Sequence, residues 1–192
     1  MNIKNCIIIH GCPNFRETGK AVDVYYRQWI PWTKKELVKN HIDAYTPKLP
    51  IAWKPDYKRF RKKFDLQGYT FNRQTALVGH SCGATFLVRW LGDNPQIHIG
   101  KLILVAPWKS IKDDMNDPYR KAYYGFKING NVRNQADSIV YFTSDNEELA
   151  GKDSLAEFHK VIGGKIITLD GRGHYVGIPK LPELISEIVA PY

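Results

Sequence analysis

Lys101-Leu102-Ile103-Leu104-Val105-Ala106 is apolar at almost every position and stops at Pro107, and this unbroken character constrains the fold most. A strand with only one covered face alternates apolar and polar residues, whereas a strand buried on both faces reads as a continuous run. Similar short runs fall at Cys6 to Ile9, Ile42 to Thr46, Thr75 to Val78, Ser138 to Thr143 and Lys165 to Leu169. Between them lie segments with helical spacing: Trp29 to Asn40, Pro55 to Leu66, Cys82 to Leu91, Ser154 to Ile162 and Leu181 to Val189. Six strands interleaved with helices predict an α/β fold with a doubly wound, mainly parallel sheet. Neither a repeat nor a linker-like break interrupts the pattern, so residues 1–192 are expected to form a single domain. In such sheets ligands bind beyond the carboxyl ends of the strands, and the loops there are the ones to search for chemistry.

The loop after the third predicted strand reads Gly79-His80-Ser81-Cys82-Gly83, a G-x-S-x-G in strand–turn–helix context. At this chain's Gly and Ser frequencies, about 0.04 such matches are expected by chance anywhere in the sequence. The turn would hold Ser81 at a strained position with its Oγ projecting over the sheet edge, with Gly79 and Gly83 leaving room for the backbone. The N–H of Cys82, opening the following helix, would point toward a developing oxyanion.

A serine nucleophile needs a base, normally a histidine held in one tautomer by a carboxylate. His174 lies in Asp170-Gly171-Arg172-Gly173-His174-Tyr175, between the last predicted strand and the last helix. This is the final position in the chain order Ser, Asp/Glu, His. His41, His98 and His159 fall on element flanks and read as structural, and His80 is expected to point away from the reaction. The acid should follow the strand Ser138 to Thr143. Asp145 is the first carboxylate there, and Glu147 stands three residues beyond Ser144. The two are equally good candidates, ahead of Glu148, while Asp170 reads as support for the histidine loop.

These pieces resemble the small α/β-hydrolase-fold serine hydrolases that include retinoblastoma-binding protein 9 and related bacterial predicted esterases. The resemblance runs through Ile8-Ile9-His10-Gly11-Cys12-Pro13, Trp29-Ile30-Pro31-Trp32, Lys35-Glu36-Leu37 and Thr46-Pro47-Lys48-Leu49-Pro50. It continues in Gly79 to Gly83, Ala106-Pro107-Trp108 and Gly173-His174. It implies a compact hydrolase core with little or no lid and a Ser, Asp, His triad. Such proteins usually carry Asp-Pro where this chain has Glu147-Glu148, so the acid is either a Glu or displaced to Asp145. The segment Lys109 to Asp137 is highly charged where larger hydrolases insert caps, and a short helix bearing on the cleft is expected there. In a sheet of order 2-1-3-4-5-6 the loop His10-Gly11-Cys12-Pro13 would lie beside the elbow. An N–H of Gly11 or Cys12 would then be the second oxyanion donor. His10 and Trp108 are expected to line the substrate pocket, although Trp108 serves equally well as an aromatic cap on the core.

The formal net charge of +9 raises nucleic acid as a partner. The dense run Lys58-Arg59-Phe60-Arg61-Lys62-Lys63 is, however, interleaved with Tyr57, Phe60, Phe64 and Leu66 at near-helical spacing. It reads as the solvated face of an amphipathic helix, which gives nucleic-acid binding little support. No apolar stretch reaches the ~20 residues that span a bilayer. Cys6, Cys12 and Cys82 form neither an even set nor a metal-ligand spacing, and a reducing cytoplasm is the simplest home. Gly163-Gly164 follows a helix and precedes a strand, the reverse of a phosphate-cradling order. The expected activity is acyl-enzyme hydrolysis of a small ester, thioester or amide, with no metal or cofactor. The alternative is a protein-binding scaffold on a retained hydrolase fold.

Overall fold

Thr75–His80 and Ile99–Val105 are buried at every position, the outcome that unbroken apolar runs require. The computed structural model describes residues 1–13, 29–110 and 117–192. Its strands are β1 (Asn5–Ile9), β2 (Asp43–Tyr45), β3 (Thr75–His80), β4 (Ile99–Val105), β5 (Ala136–Ser144) and β6 (Lys165–Leu169). They form one sheet of order β2-β1-β3-β4-β5-β6 in which all five pairings are parallel. The described helices are α1 (Trp29–Lys39), α2 (Tyr57–Asp65), α3 (Cys82–Gly92), α4 (Pro118–Tyr124), α5 (Leu149–Ile162) and α6 (Pro182–Val189), with a 3-10 turn at Gly130–Asn134.

Successive side chains of a strand point to opposite faces, so each strand serves two cores. Ile7, Ile9, Leu77, Leu102, Leu104 and Tyr141 pack with Phe60 and Phe64 of α2 and with Phe86 and Trp90 of α3. The alternate residues Cys6, Ile8, Val78, Ile103, Val105 and Phe142 pack with Trp29, Ile30 and Leu37 of α1 and Leu184 and Ile188 of α6. The two edge strands are the exceptions: β2 buries only Ala44, and every residue of β6 is exposed or half-buried.

The basic run forms α2, capped by the Asp56 carboxylate, which accepts from the N–H of Arg59 at 2.7 Å. Tyr57, Phe60 and Phe64 are its buried stripe. Leu66, expected to join them, sits past the helix end and is 72% exposed. Helix α5 starts at Leu149, earlier than the expected Ser154, because Gly151 and the charged Lys152-Asp153 mask its first turns. In the charged segment after β4, Asp117 caps α4 and Pro118 opens it. The Tyr123 hydroxyl of α4 donates to the carbonyl of Cys82 at 2.9 Å, tying that segment to the helix behind the elbow. Residues 111–116 of the expected insertion lie outside the described residues.

One buried charge joins the sheet to the C-terminus. Lys101 in β4 is 1% exposed, and its ammonium donates to the carbonyls of Glu187 and Ala190 at the end of α6. A cation suits the carbonyl end of a helix, and the Tyr192 ring lies 5.3 Å from the Nζ. Replacing Lys101 by Met leaves those carbonyls without their donor. A loss of about 2 kcal/mol is expected, or roughly 4–8 °C in melting temperature for a chain of this size. Thermal unfolding followed by circular dichroism checks this, and an unchanged midpoint would mean that the carbonyls need no charged partner.

Candidate active site

In the order 2-1-3 the connections run in opposite directions on either side of β1 and β3, and the crevice of a doubly wound sheet opens at such a point. The loop after β1 and the turn after β3 meet here. Ser81 sits in that turn with φ 54 and ψ −121, a left-handed conformation that a side chain seldom adopts. Its N–H donates to the carbonyl of Val105 at 2.9 Å, and its own carbonyl accepts from Trp108 N–H at 3.3 Å, so β4 braces the turn from the side. A Cβ on Gly79 would lie 2.5 Å from the Ala84 Cα, and one on Gly83 2.6 Å from the carbonyl oxygens of Ile9 and His10. Both glycines are therefore required by close backbone approach.

His174 Nε2 lies 2.9 Å from Ser81 Oγ, and His174 Nδ1 lies 3.1 Å from both carboxylate oxygens of Glu147. An ionised carboxylate only accepts, so Nδ1 carries the proton and Nε2 is free to accept from the serine hydroxyl. The Glu147 side chain is 1% exposed, and Oε1 also accepts from the N–H of Glu148 at 2.9 Å. Gly151 makes room for it: a Cβ there would lie 2.8 Å from the Glu147 Cδ.

Asp145, the other candidate acid, is turned to a different task. Its Oδ1 accepts from Gly171 N–H at 2.7 Å, Ser144 Oγ accepts from Arg172 N–H at 2.8 Å, and Asn146 Oδ1 accepts from Gly173 N–H at 2.7 Å. Three consecutive side chains at the end of β5 thus hold three consecutive amides just before His174. The Tyr175 hydroxyl adds a bond to the carbonyl of Thr143 at 2.6 Å. Residues with side chains at positive φ gather here, with Ala106 and Tyr175 joining Ser81.

His80 points away from the serine hydroxyl, as expected, but it has a function that the sequence reading missed. Its Nε2 donates to the carbonyl of His174 at 2.9 Å, bracing that residue from behind. Burial and the neighbouring His174 push its pKa down to about 3, so it stays neutral. The signal was its place in the elbow, since residue 80 ends β3 beneath the histidine loop. Trp108 stands edge-on to His174 with ring centroids 5.2 Å apart. His10 is bound up with backbone: Nε2 accepts from Leu49 N–H at 2.9 Å, and Nδ1 lies 2.6 Å from the carbonyl of Gly11. A Cβ on Gly11 would lie 3.2 Å from the Ser81 Cβ, so the loop after β1 runs close beside the elbow.

The cysteine count argued against disulfides, and here the structure corrects it. Cys12 and Cys82 are bonded, with Cα atoms 5.6 Å apart, although 70 positions separate them in sequence. The parallel pairing of β1 with β3 brings them together. Cys6 is a free, buried core residue. Among the described residues, no cluster of His, Cys, Asp and Glu could hold a metal, and no helix is long and apolar enough to cross a membrane.

A doubly wound parallel sheet with a serine, a histidine and a carboxylate in line beyond its strand ends defines an α/β-hydrolase. The chain belongs to the serine hydrolase family, whose family model matches residues 23–178. It is 25% identical over 179 residues to YdeN of Bacillus subtilis (strain 168), a protein named only as a hydrolase, with 88% of each chain covered. The crystal structure of the ydeN gene product matches with a TM-score of 0.77 at 19% identity, covering 96% of both chains. Est1E from Butyrivibrio proteoclasticus matches with a TM-score of 0.64 at 14% identity, over 97% of this chain and 85% of that one. At these identities the two solved structures speak to the fold.

The Gly171 N–H, which the Asp145 carboxylate accepts, holds that carboxyl below its ordinary value. A carboxyl whose folded pKa is depressed contributes stability above its unfolded pKa of about 3.9 and loses it as pH falls through the folded value. The gap in melting temperature between wild type and Asp145→Asn is expected to be steady above about pH 5 and to close as pH falls below about 4. A gap that persists unchanged to about pH 2 would show that the charge of Asp145 plays no part in holding the loop.

Proposed function

We propose that this protein is an esterase-like serine hydrolase of the carboxylesterase type, acting on small esters, thioesters or amides through an acyl-enzyme on Ser81. The observation that carries this reading is the unbroken line Ser81 Oγ, His174 Nε2, His174 Nδ1 and the Glu147 carboxylate. Ser81 Oγ attacks the substrate carbonyl carbon while His174 Nε2 takes its proton, and Glu147 stabilises the imidazolium that forms. The oxyanion is received by the N–H of Cys82, which as the first residue of α3 has no intrahelical acceptor, and by an N–H of the Gly11–Cys12 loop. His174 then protonates the leaving alcohol, thiol or amine. Water, deprotonated by the same nitrogen, releases the acid and restores Ser81.

Glu147 is the acid in this reading, and Asp145 is a positioning residue. The contact between Glu147 and His174 supports catalysis over the scaffold alternative. We place the chain in one domain with a small-molecule substrate. A cytoplasmic setting is compatible with a Cys12–Cys82 bond that forms and breaks, since cytosolic disulfides are usually transient or redox-sensing.

Turnover of an activated ester, such as a p-nitrophenyl acyl ester, tests these roles. Ser81→Ala is expected to lower kcat by about 10⁵–10⁶-fold and Glu147→Gln by about 10³–10⁴-fold, as for the parts of other serine triads. Asp145→Asn should cost less than about 10-fold, because a neutral amide can still accept from Gly171. Full activity in Ser81→Ala would end the hydrolase reading, and a larger loss in Asp145→Asn than in Glu147→Gln would reverse the assignment of the acid.

A further inference from the structure

We propose that the Cys12–Cys82 disulfide is a reversible redox modification site, and that its formation switches on the hydrolase by fastening the oxyanion loop to the nucleophile elbow. The inference rests on the hydrolase reading of Ser81. The bond joins the two loops that would supply the oxyanion donors. Cys82 is the residue immediately after Ser81, and Cys12 belongs to the loop whose Gly11 backbone passes beside Ser81. The backbone before Cys12 is well anchored. Gly83 lies against the carbonyls of Ile9 and His10, and the His10 ring binds Leu49 N–H. Beyond Cys12, the Arg120 guanidinium donates to the carbonyl of Pro13 at 3.4 Å. The disulfide fastens the outer end of the described loop covalently to the residue after Ser81. An oxyanion donor acts only when held at the spot where charge develops, so loosening that end lowers kcat.

The two sulfurs are placed for directed exchange. Cys82 is fully buried, whereas Cys12 is half-buried, so Cys12 is the more accessible partner of the two. A dithiol reductant attacks the Cys12 sulfur as its thiolate, forming a mixed disulfide and expelling the Cys82 thiolate, which then takes a proton from solvent. That leaving group departs at the opening turn of α3, where the helix dipole favours negative charge. The second thiol of the reductant closes on the first and releases the Cys12 thiol. The protein disulfide gains two electrons and the dithiol is oxidised to its own disulfide.

The test compares untreated full-length protein with the same protein reduced by dithiothreitol, with thiols mapped by alkylation and peptide mass spectrometry. Kinetics are read on an activated ester below the unfolding temperature of each form. Reduction is expected to lower kcat by about 10-fold or more while KM changes less, since an oxyanion donor acts in the transition state. Reoxidation should restore kcat. Cys12→Ser and Cys82→Ala should each resemble reduced wild type and ignore dithiothreitol. If either variant fails to fold, the wild-type comparison alone decides. Complete reduction with unchanged kcat, or free thiols at both positions in protein purified without reductant, overturns the switch while Ser81-dependent turnover leaves the hydrolase reading standing. Absence of Ser81-dependent turnover in both redox states overturns the hydrolase reading, and the switch falls with it.

Discussion

The backbone at residues 79–83 is the constraint on which the rest of the site depends. Strand β3 must pass directly into α3 with Ser81 at positive φ, and the turn is so tight that neither flanking glycine could carry a Cβ. A serine in this conformation costs of order 1–3 kcal/mol and persists because its surroundings over-determine it. Here those surroundings are β4, whose end accepts from the Ser81 N–H, and β1, whose final carbonyls press on Gly83. Both strands lie inside the sheet and are fully or almost fully buried, so the strained serine is braced by packed strands on either side.

The proposed base is held by a different device. His174 lies in a glycine-rich loop with no intrinsic rigidity, and side chains from the neighbouring strand end supply it. Ser144, Asp145 and Asn146 bind the three amides before it, Tyr175 binds back to Thr143, and His80 takes the carbonyl of His174 itself. Glu147 then meets an imidazole whose position is already set. Positioning of this kind matters because a misplacement of about 1 Å can cost 10²-fold in rate.

Much of this was legible in the sequence. Continuous apolar runs exposed all six strands, and the elbow motif singled out Ser81 as the candidate nucleophile without reference to any partner. Which of the two carboxylates faces His174 was not legible, because Asp145 and Glu147 follow the same strand and chain position does not reveal which way a side chain turns. Two local facts decide their directions: the Gly171 amide draws Asp145 aside, and the missing Cβ of Gly151 opens a pocket for the longer Glu147. The same Gly151 obscured the start of α5, so one residue hid both the helix and its purpose. The disulfide escaped for a topological reason. Cys12 and Cys82 are distant in sequence and become neighbours only through the pairing of β1 with β3, an order already expected but not applied to the cysteines.

The central claim is that Ser81 is an activated nucleophile and His174 its base. Reaction of the folded protein with a fluorophosphonate probe, followed by peptide mass mapping, tests it most directly. The account predicts a single phosphonyl adduct on Ser81 that is abolished in His174→Ala. No adduct on folded wild-type protein, or an adduct that persists without His174, would contradict it.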